Sequence, residues 1–292
     1  MIKLKLKFIF AFVATFLFGS ASSVLAQDLC EECLENVPQD MVDYVYNMDY
    51  MDKDQPLGPA VMRDWKSPSK PPWTIGYAST YAGNTWRKGA MERLMEVVLP
   101  KWRALGMVDD ILITQSNLDD SLQIQQMRQM IDGGVVDAII ICCSNLTALN
   151  KTIEYGWSKG IPTLSFTGFT TSPVSINTSV NYRLVGVYIG TWLAELIGEK
   201  GNVVVMDGIP GYSASDQQSD GMLAGLAMYP DITVVGHLAH NWTSQVAQKE
   251  LSTWMAAHPE EIHGIAVQSS GETGTLQALL QSGRDPIPPI AL

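Results

Sequence analysis

Asn84, Trp86 and Arg87 sit almost side by side in the stretch IGYASTYAGNTWRKGAMERLMEVV, which begins at residue 75. An indole offers a flat apolar face and one N–H donor. A guanidinium offers a rigid fork of donors, and an amide both donates and accepts. A strand-to-helix turn needs only a glycine and a cap, so the cluster is a candidate for recognising a ligand with C–H faces and polar edges. Similar groups follow the other short apolar runs: Ser79, then Ser165 and Phe166, then Asn181, and Asp216 in the loop GIPGYSASD. Trp242 lies beside His240 and Asn241, and Ser269, Ser270 and Glu272 follow IHGIAVQ. One ligand class suits this set. A sugar has flat C–H faces that an indole covers and a ring of hydroxyls that donate and accept. Each hydrogen bond contributes only about 0.5–1.5 kcal/mol net, so several must converge. The candidate binding residues are therefore Ser79, Asn84, Trp86, Arg87, Phe166, Asn181, Asp216, Trp242, Ser269 and Ser270. Each has a plainer use as well: packing for the tryptophans, an ion pair along its own helix for Arg87, an N-cap for Asn84, a solvated loop acid for Asp216.

Other chemistries find little support. No GxGxxG follows the first apolar run, and neither a phosphate-binding Walker loop nor a GxSxG elbow occurs. No catalytic residue and no cofactor is expected. His237 and His240 form an HxxH without a third ligand in sequence reach, a weak metal signal. Cys30 and Cys33 form a CxxC flanking Glu31 and Glu32. Those acids oppose the thiolate that redox chemistry needs, so the pair reads as a local structural disulfide. Cys142 and Cys143 end the apolar run AIIICC and read as small core residues.

The elements that must position these groups alternate from Trp73 onward. Short β-branched runs (TIGYAS, ILIT, VDAIIIC, PTLSF, NVVVMD, ITVVG, IHGIAVQ) precede longer amphipathic segments. Strand–helix alternation with near-continuous apolar strands predicts parallel sheets covered on both faces, an α/β fold. In such sheets ligands bind outside the carboxyl ends of the strands, where the candidates fall. VDAIIICCSNLTALNKTIEYGWSKGIPTL is echoed about 125 residues later by IHGIAVQSSGETGTLQALLQSGRDPIPPI. The echo predicts two similar doubly wound lobes, 73–178 and 179–292, with an interlobe cleft and a crossing in the polar run Ser175–Asn181.

Residues 1–26 read as a secretory signal: a basic MIKLKLK, a short apolar run, and Val24-Leu25-Ala26 before the cut. Residues 27–72 read as an acidic, proline-bearing N-terminal extension. No later apolar run approaches the length of a membrane span, so the mature chain is not expected to be membrane-embedded. Removing Lys3, Lys5 and Lys7 with the leader takes the formal charge from −11 to −14. A chain this acidic repels phosphate backbones, which argues against nucleic acid as a partner.

From Trp73 to Leu292 the sequence resembles the type I periplasmic binding proteins of sugar ABC transporters, the ribose- and galactofuranose-binding group. The resemblance rests on the turn with Asn84, Trp86 and Arg87, on Gln125 followed by VDAIII, and on GIPTLSF. Asn181 and Gly186, GNVVVMDGIPG, and TGTLQALLQSGR extend it. It implies two lobes closing on a ligand, no enzymatic activity, a periplasmic location, and delivery of a sugar or polyol to an ABC permease. A sensor subunit presenting a similar ligand to a receptor kinase is the alternative. The family's aromatic on the sugar corresponds to Trp86, with Trp-Arg resembling the galactofuranose type, and its second-lobe aromatic to Trp242. Where the family often has Asp-Arg, Ser165-Phe166 stands. Where it has an Arg after the Gly-rich loop, Asp216 stands. That leaves a modified sugar or a polyol open. The family pattern runs on past PIPPIAL, so the second lobe is expected to be C-terminally incomplete.

Overall fold

The computed structural model describes residues 61–142, 145–284 and 288–291. The leader, most of the acidic extension and the Cys30–Cys33 pair lie outside the described residues. Two parallel sheets carry the fold, and both belong to one compact unit of the chain.

The first sheet has the order β2-β1-β3-β4-β5, built from β1 (Trp73–Ser79), β2 (Val108–Gln115), β3 (Ala138–Cys142), β4 (Thr163–Phe166) and β5 (Ser175–Thr178). The second has the order β7-β6-β8-β9, from β6 (Lys200–Asp207), β7 (Asp231–Ala239), β8 (Gly264–Val267) and β9 (Ile290–Ala291). The first four strands of each sheet share one order, so the sequence echo is a topological one: β3-helix-β4 and β8-helix-β9 occupy equivalent places. Ser175–Thr178, read from sequence as part of the crossing, is instead the edge strand β5, paired parallel to β4. An edge strand with half-buried residues needs no apolar alternation, which is why its polar sequence concealed it.

Helix α1 (Thr85–Arg93) runs through a π-helical turn (Leu94–Val98) into α2 (Leu99–Ala104). Pro100 has no N–H to donate to the carbonyl four residues back. The helix widens just before it, and the Leu99 N–H bonds to the Leu94 carbonyl, five residues back. The remaining helices are α3 (Asp120–Asp132), α4 (Asn150–Ser158), α5 (Tyr182–Leu196), α6 (Ser213–Leu226), α7 (Ser244–Ala257) and α8 (Glu272–Ser282). Asp119 caps α3, its carboxylate accepting from Leu122 N–H at 2.9 Å. The helix then lays Met127, Met130 and Ile131 against Ile139 and Ile141 of β3. On the opposite face of that sheet, Tyr77, Leu99 and Ile111 pack together.

The second sheet shows why its strands are continuously apolar. Val203 and Val205 face Leu193, Met222 and Leu226 of α5 and α6, while Val204 and Met206 face Leu251 and Leu279 of α7 and α8. Every side chain of that run is buried on one face or the other. Helices α5 and α6 meet through glycines. A Cβ on Gly186 would lie 2.1 Å from the Gln218 carbonyl oxygen, and one on Gly221 would lie 2.0 Å from that of Arg183. Gly190 and Gly225 repeat the pattern one turn on, at 2.4 Å and 2.5 Å from the Met222 and Val187 carbonyl oxygens. Only residues without a Cβ permit this backbone-to-backbone approach.

Candidate functional site

Both sheets point their carboxyl ends at one cleft of about 510 Å³. The first lobe contributes Asn84, Trp86, Arg87 and Thr167, the segment entering α5 contributes Val180 and Tyr182, and the second lobe contributes Ala214, Gln218, Trp242, Ser269, Ser270 and Glu272.

Each wall is fixed by local structure. Asn84 is the N-cap of α1, its side-chain oxygen accepting from Arg87 N–H at 2.9 Å, so capping and cleft-lining coincide in one residue. Trp86 is 51% exposed. Its ring stacks against Phe166 at 6.2 Å, and the Arg87 guanidinium lies 4.7 Å from its centroid. Arg87 is buried and donates from Nη2 to Thr167 Oγ1 at 3.0 Å. The ion pair along α1 is Lys88–Glu92.

In the second lobe, Gln268 is fully buried and organises the wall. Its Oε1 accepts from Gly208 N–H at 2.9 Å and from Trp242 Nε1 at 3.3 Å, while its Nε2 donates to the Ser215 carbonyl at 2.8 Å. The Trp242 indole lies against Gly208, where a Cβ would come within 2.0 Å of Nε1. Tyr81 and Tyr212 flank Trp242 at 6.3 Å and 6.4 Å between ring centroids. Tyr81 reaches across from the first lobe, its hydroxyl donating to the Asn241 carbonyl at 3.4 Å.

Backbone strain concentrates here. Of seven described non-glycine residues with positive φ, Thr167, Trp242 and Ser270 line the cleft, and Asn241 adjoins Trp242. Such conformations persist where the surroundings over-determine them, as at binding sites.

Six of the ten sequence candidates thus share the cleft: Asn84, Trp86, Arg87, Trp242, Ser269 and Ser270. The other four lie off its lining. Ser79 is buried at the end of β1, within a long 3.5 Å hydrogen bond of the Tyr81 carbonyl. Phe166 backs Trp86. Asn181 caps α5, accepting from Leu184 N–H at 3.0 Å. Asp216 is exposed and accepts from Gly211 N–H at 2.9 Å, stapling the Gly-rich loop. Sequence reasoning left out Thr167, Val180, Tyr182, Ala214, Gln218 and Glu272 as binding residues. Glu272 and the crossing were in view; Thr167 and Gln218 carry no type-and-spacing signal.

The described residues hold no cluster of three or more metal-ligating side chains. His240 is fully buried against Gly271, and burial lowers its pKa to about 4. His237 meets Asp207 at 2.5 Å and Ser219 at 3.3 Å through the same ring nitrogen, Nε2. A Ser–His–Asp relay needs the two partners on opposite nitrogens. Burial raises the Asp207 pKa, and His237 works against that rise.

A family model described as a periplasmic binding protein domain matches residues 75–291. The chain belongs to the periplasmic binding protein family. A xylitol-binding protein of Mycolicibacterium smegmatis is 29% identical over 185 residues, covering 63% of this chain and 53% of its own length. The chain therefore spans about half the length of that relative. An ABC transporter solute-binding protein from Thermobispora bispora superposes with a TM-score of 0.68 at 22% identity, covering 76% of this chain and 67% of that one. The fructose-binding periplasmic domain of a hybrid two-component system superposes at 0.66 with 21% identity, covering 75% and 71%. These relatives are xylitol-, solute- and fructose-binding proteins or domains, and this periplasmic binding protein shares the two-lobed α/β fold of the solved ones. None of its described helices is long and apolar enough to cross a membrane.

Proposed function

We propose that this chain binds a sugar or polyol between its lobes and delivers it to an ABC permease, after export directed by residues 1–26. The observation that carries the reading is the pairing of two indoles from opposite lobes, Trp86 and Trp242, around one cleft rimmed by amide, hydroxyl, guanidinium and carboxylate groups. Indoles cover C–H faces, and the rim serves the hydroxyls. The xylitol-binding relative favours a polyol. The test is a thermal-shift screen of the purified protein against xylitol, other polyols, fructose and galactofuranosides. A binder at 100 times its Kd raises unfolding free energy by about 2.7 kcal/mol. A panel without a single saturable shift rejects the reading.

A sensor role is the second reading. It is favoured by the likeness to the fructose-binding domain of a two-component system. Ligand-dependent capture of a permease supports delivery; ligand-dependent capture of a receptor kinase supports sensing.

A further inference from the structure

We infer that Gln268 is the positioning residue of the second-lobe indole: out of a ligand's reach itself, it fixes how Trp242 faces the cleft. The placement stands on geometry, and its consequence for affinity rests on the sugar-or-polyol reading above. Gln268 follows β8 directly, is fully buried and is not part of the cleft lining. Its amide has one satisfactory orientation. Oε1 faces two donors, the Gly208 N–H at 2.9 Å and Trp242 Nε1 at 3.3 Å. Nε2 faces two acceptors, the Ser215 carbonyl at 2.8 Å and Asp207 Oδ1 at 3.5 Å. Turning the amide over would set its NH₂ against two N–H groups and its oxygen against a carbonyl and a carboxylate, reversing all four contacts. The other Asp207 oxygen, Oδ2, lies 2.5 Å from His237 Nε2, which holds that carboxylate in place. The Gln268 N–H donates to the Met206 carbonyl at 3.0 Å, so the residue is fastened to β6 through its backbone as well.

Trp242 is a side chain that needs such an anchor. It sits in a loop where Asn241 and Trp242 have φ of 50° and 53°, a conformation that persists only where its surroundings impose it. The indole lies on the bare backbone of Gly208, where a Cβ would come within 2.0 Å of Nε1 and 2.3 Å of Cε2. That flat contact sets the height of the ring above β6 but lets it slide in its own plane. The Tyr81 and Tyr212 rings stand tilted to it, at 51° and 76°, and give edges instead of a stacked partner. The bond from Nε1 to Gln268 supplies the missing direction. It also occupies the one polar atom of the indole, so a ligand meets the apolar face of Trp242 and not its donor.

The experiment has two readouts on the full chain. The first needs no ligand: the indole N–H signals in nitrogen–proton correlation spectra, with that of Trp242 identified by its loss in Trp242→Phe. In the wild type this proton should be protected from exchange with water. In Gln268→Met, which keeps the length and loses the amide, it should shift and exchange at least about fivefold faster. The second is titration calorimetry with xylitol, or with the strongest neutral compound of the screen. Gln268→Met should raise Kd about fivefold. In a Trp242→Phe chain, which has no Nε1, the same substitution should change Kd by less than about twofold. A general loss of structure would act in both backgrounds, so equal losses overturn the assignment, as does an unchanged Kd or an unchanged indole exchange rate in folded Gln268→Met. If that variant does not fold, the wild type decides: a Trp242 N–H exchanging as fast as a solvent-exposed indole overturns the assignment, and a protected one supports it. If no compound binds the wild type, the sugar-or-polyol reading falls, and the indole spectra still decide whether Gln268 holds the ring.

Discussion

Removing the Trp86 indole should weaken ligand binding a little more than tenfold while leaving the fold intact. A full indole side chain presents up to about 250 Å². Trp86 keeps 51% of its surface exposed, so about 125 Å² is open towards the cleft and solvent. A ligand that covers about half of this removes about 60 Å² from water, worth about 1.5 kcal/mol at about 25 cal/mol per Å². That free energy corresponds to about a 13-fold change in Kd. The cost to the fold is smaller, because Trp86 packs mainly on Phe166 and Arg87, and such a ring pair contributes about 0.5–1.5 kcal/mol. Trp86→Ala should therefore melt cooperatively, a few degrees lower than wild type, and show the Kd change by calorimetry with the strongest hit of the sugar panel. Trp86→Phe should recover most of the affinity. A Kd within threefold of wild type, in an alanine variant that still melts cooperatively, refutes the claim that this indole meets the ligand.

Gly221→Ala should destabilise the protein by about 2 kcal/mol or more, because the new Cβ meets the Arg183 carbonyl oxygen at 2.0 Å and the helices must part; a melting temperature within a degree of wild type contradicts the crossing. His240 has its folded-state pKa lowered to about 4 by burial, below an unfolded value of about 6.5. The unfolded chain therefore binds the extra proton first, and stability falls as pH drops from about 6.5 towards 4. Between pH 7 and 4.5 the loss from this group is about 2 kcal/mol, and His240→Phe should lose that much less in urea titrations at the two pH values. Equal losses in both proteins remove His240 from the account. Mass spectrometry of exported protein should find a chain beginning at Gln27 with Cys30 and Cys33 oxidised to each other; an intact Met1 or two free thiols counts against the respective half.

The alternation of short β-branched apolar runs and longer amphipathic segments was enough to read two parallel sheets, because central strands such as β6 and β8 are buried on both faces and so stay apolar at consecutive positions. The echo between 136–164 and 262–290 carried more: it marks the equivalent strand–helix–strand units on which both sheets share an order. Strand β5 escaped because an edge strand of Ser175, Ile176, Asn177 and Thr178 does not bury a face. Within the cleft, Trp86, Arg87 and Trp242 were legible because large aromatic and charged side chains are conspicuous where a turn needs neither. Thr167 was not. Its place follows from a positive φ just past β4, which threonine does not announce. Gln218 sits inside α6, a helix whose buried residues include Ser213, Ser215, Gln217 and Ser219. Polar residues on the buried side of a helix blur the periodicity that would have drawn attention to it.

The glycine contact between α5 and α6 has a mechanical meaning for ligand capture. Helix α5 starts directly after the crossing and brings Tyr182 to the cleft; α6 brings Ala214 and Gln218. With carbonyls seated on Cα atoms at Gly186, Gly190, Gly221 and Gly225, no side chains lie between the two rods to yield under load. The pair has one set of rotational freedoms instead of two. Any swing at residues 179–181 must carry Tyr182 and Gln218 through the same arc, as two teeth on one gear. Retuning the cleft for a ligand of another size then has to come from exchanging the teeth, because the angle between the rods is not adjustable.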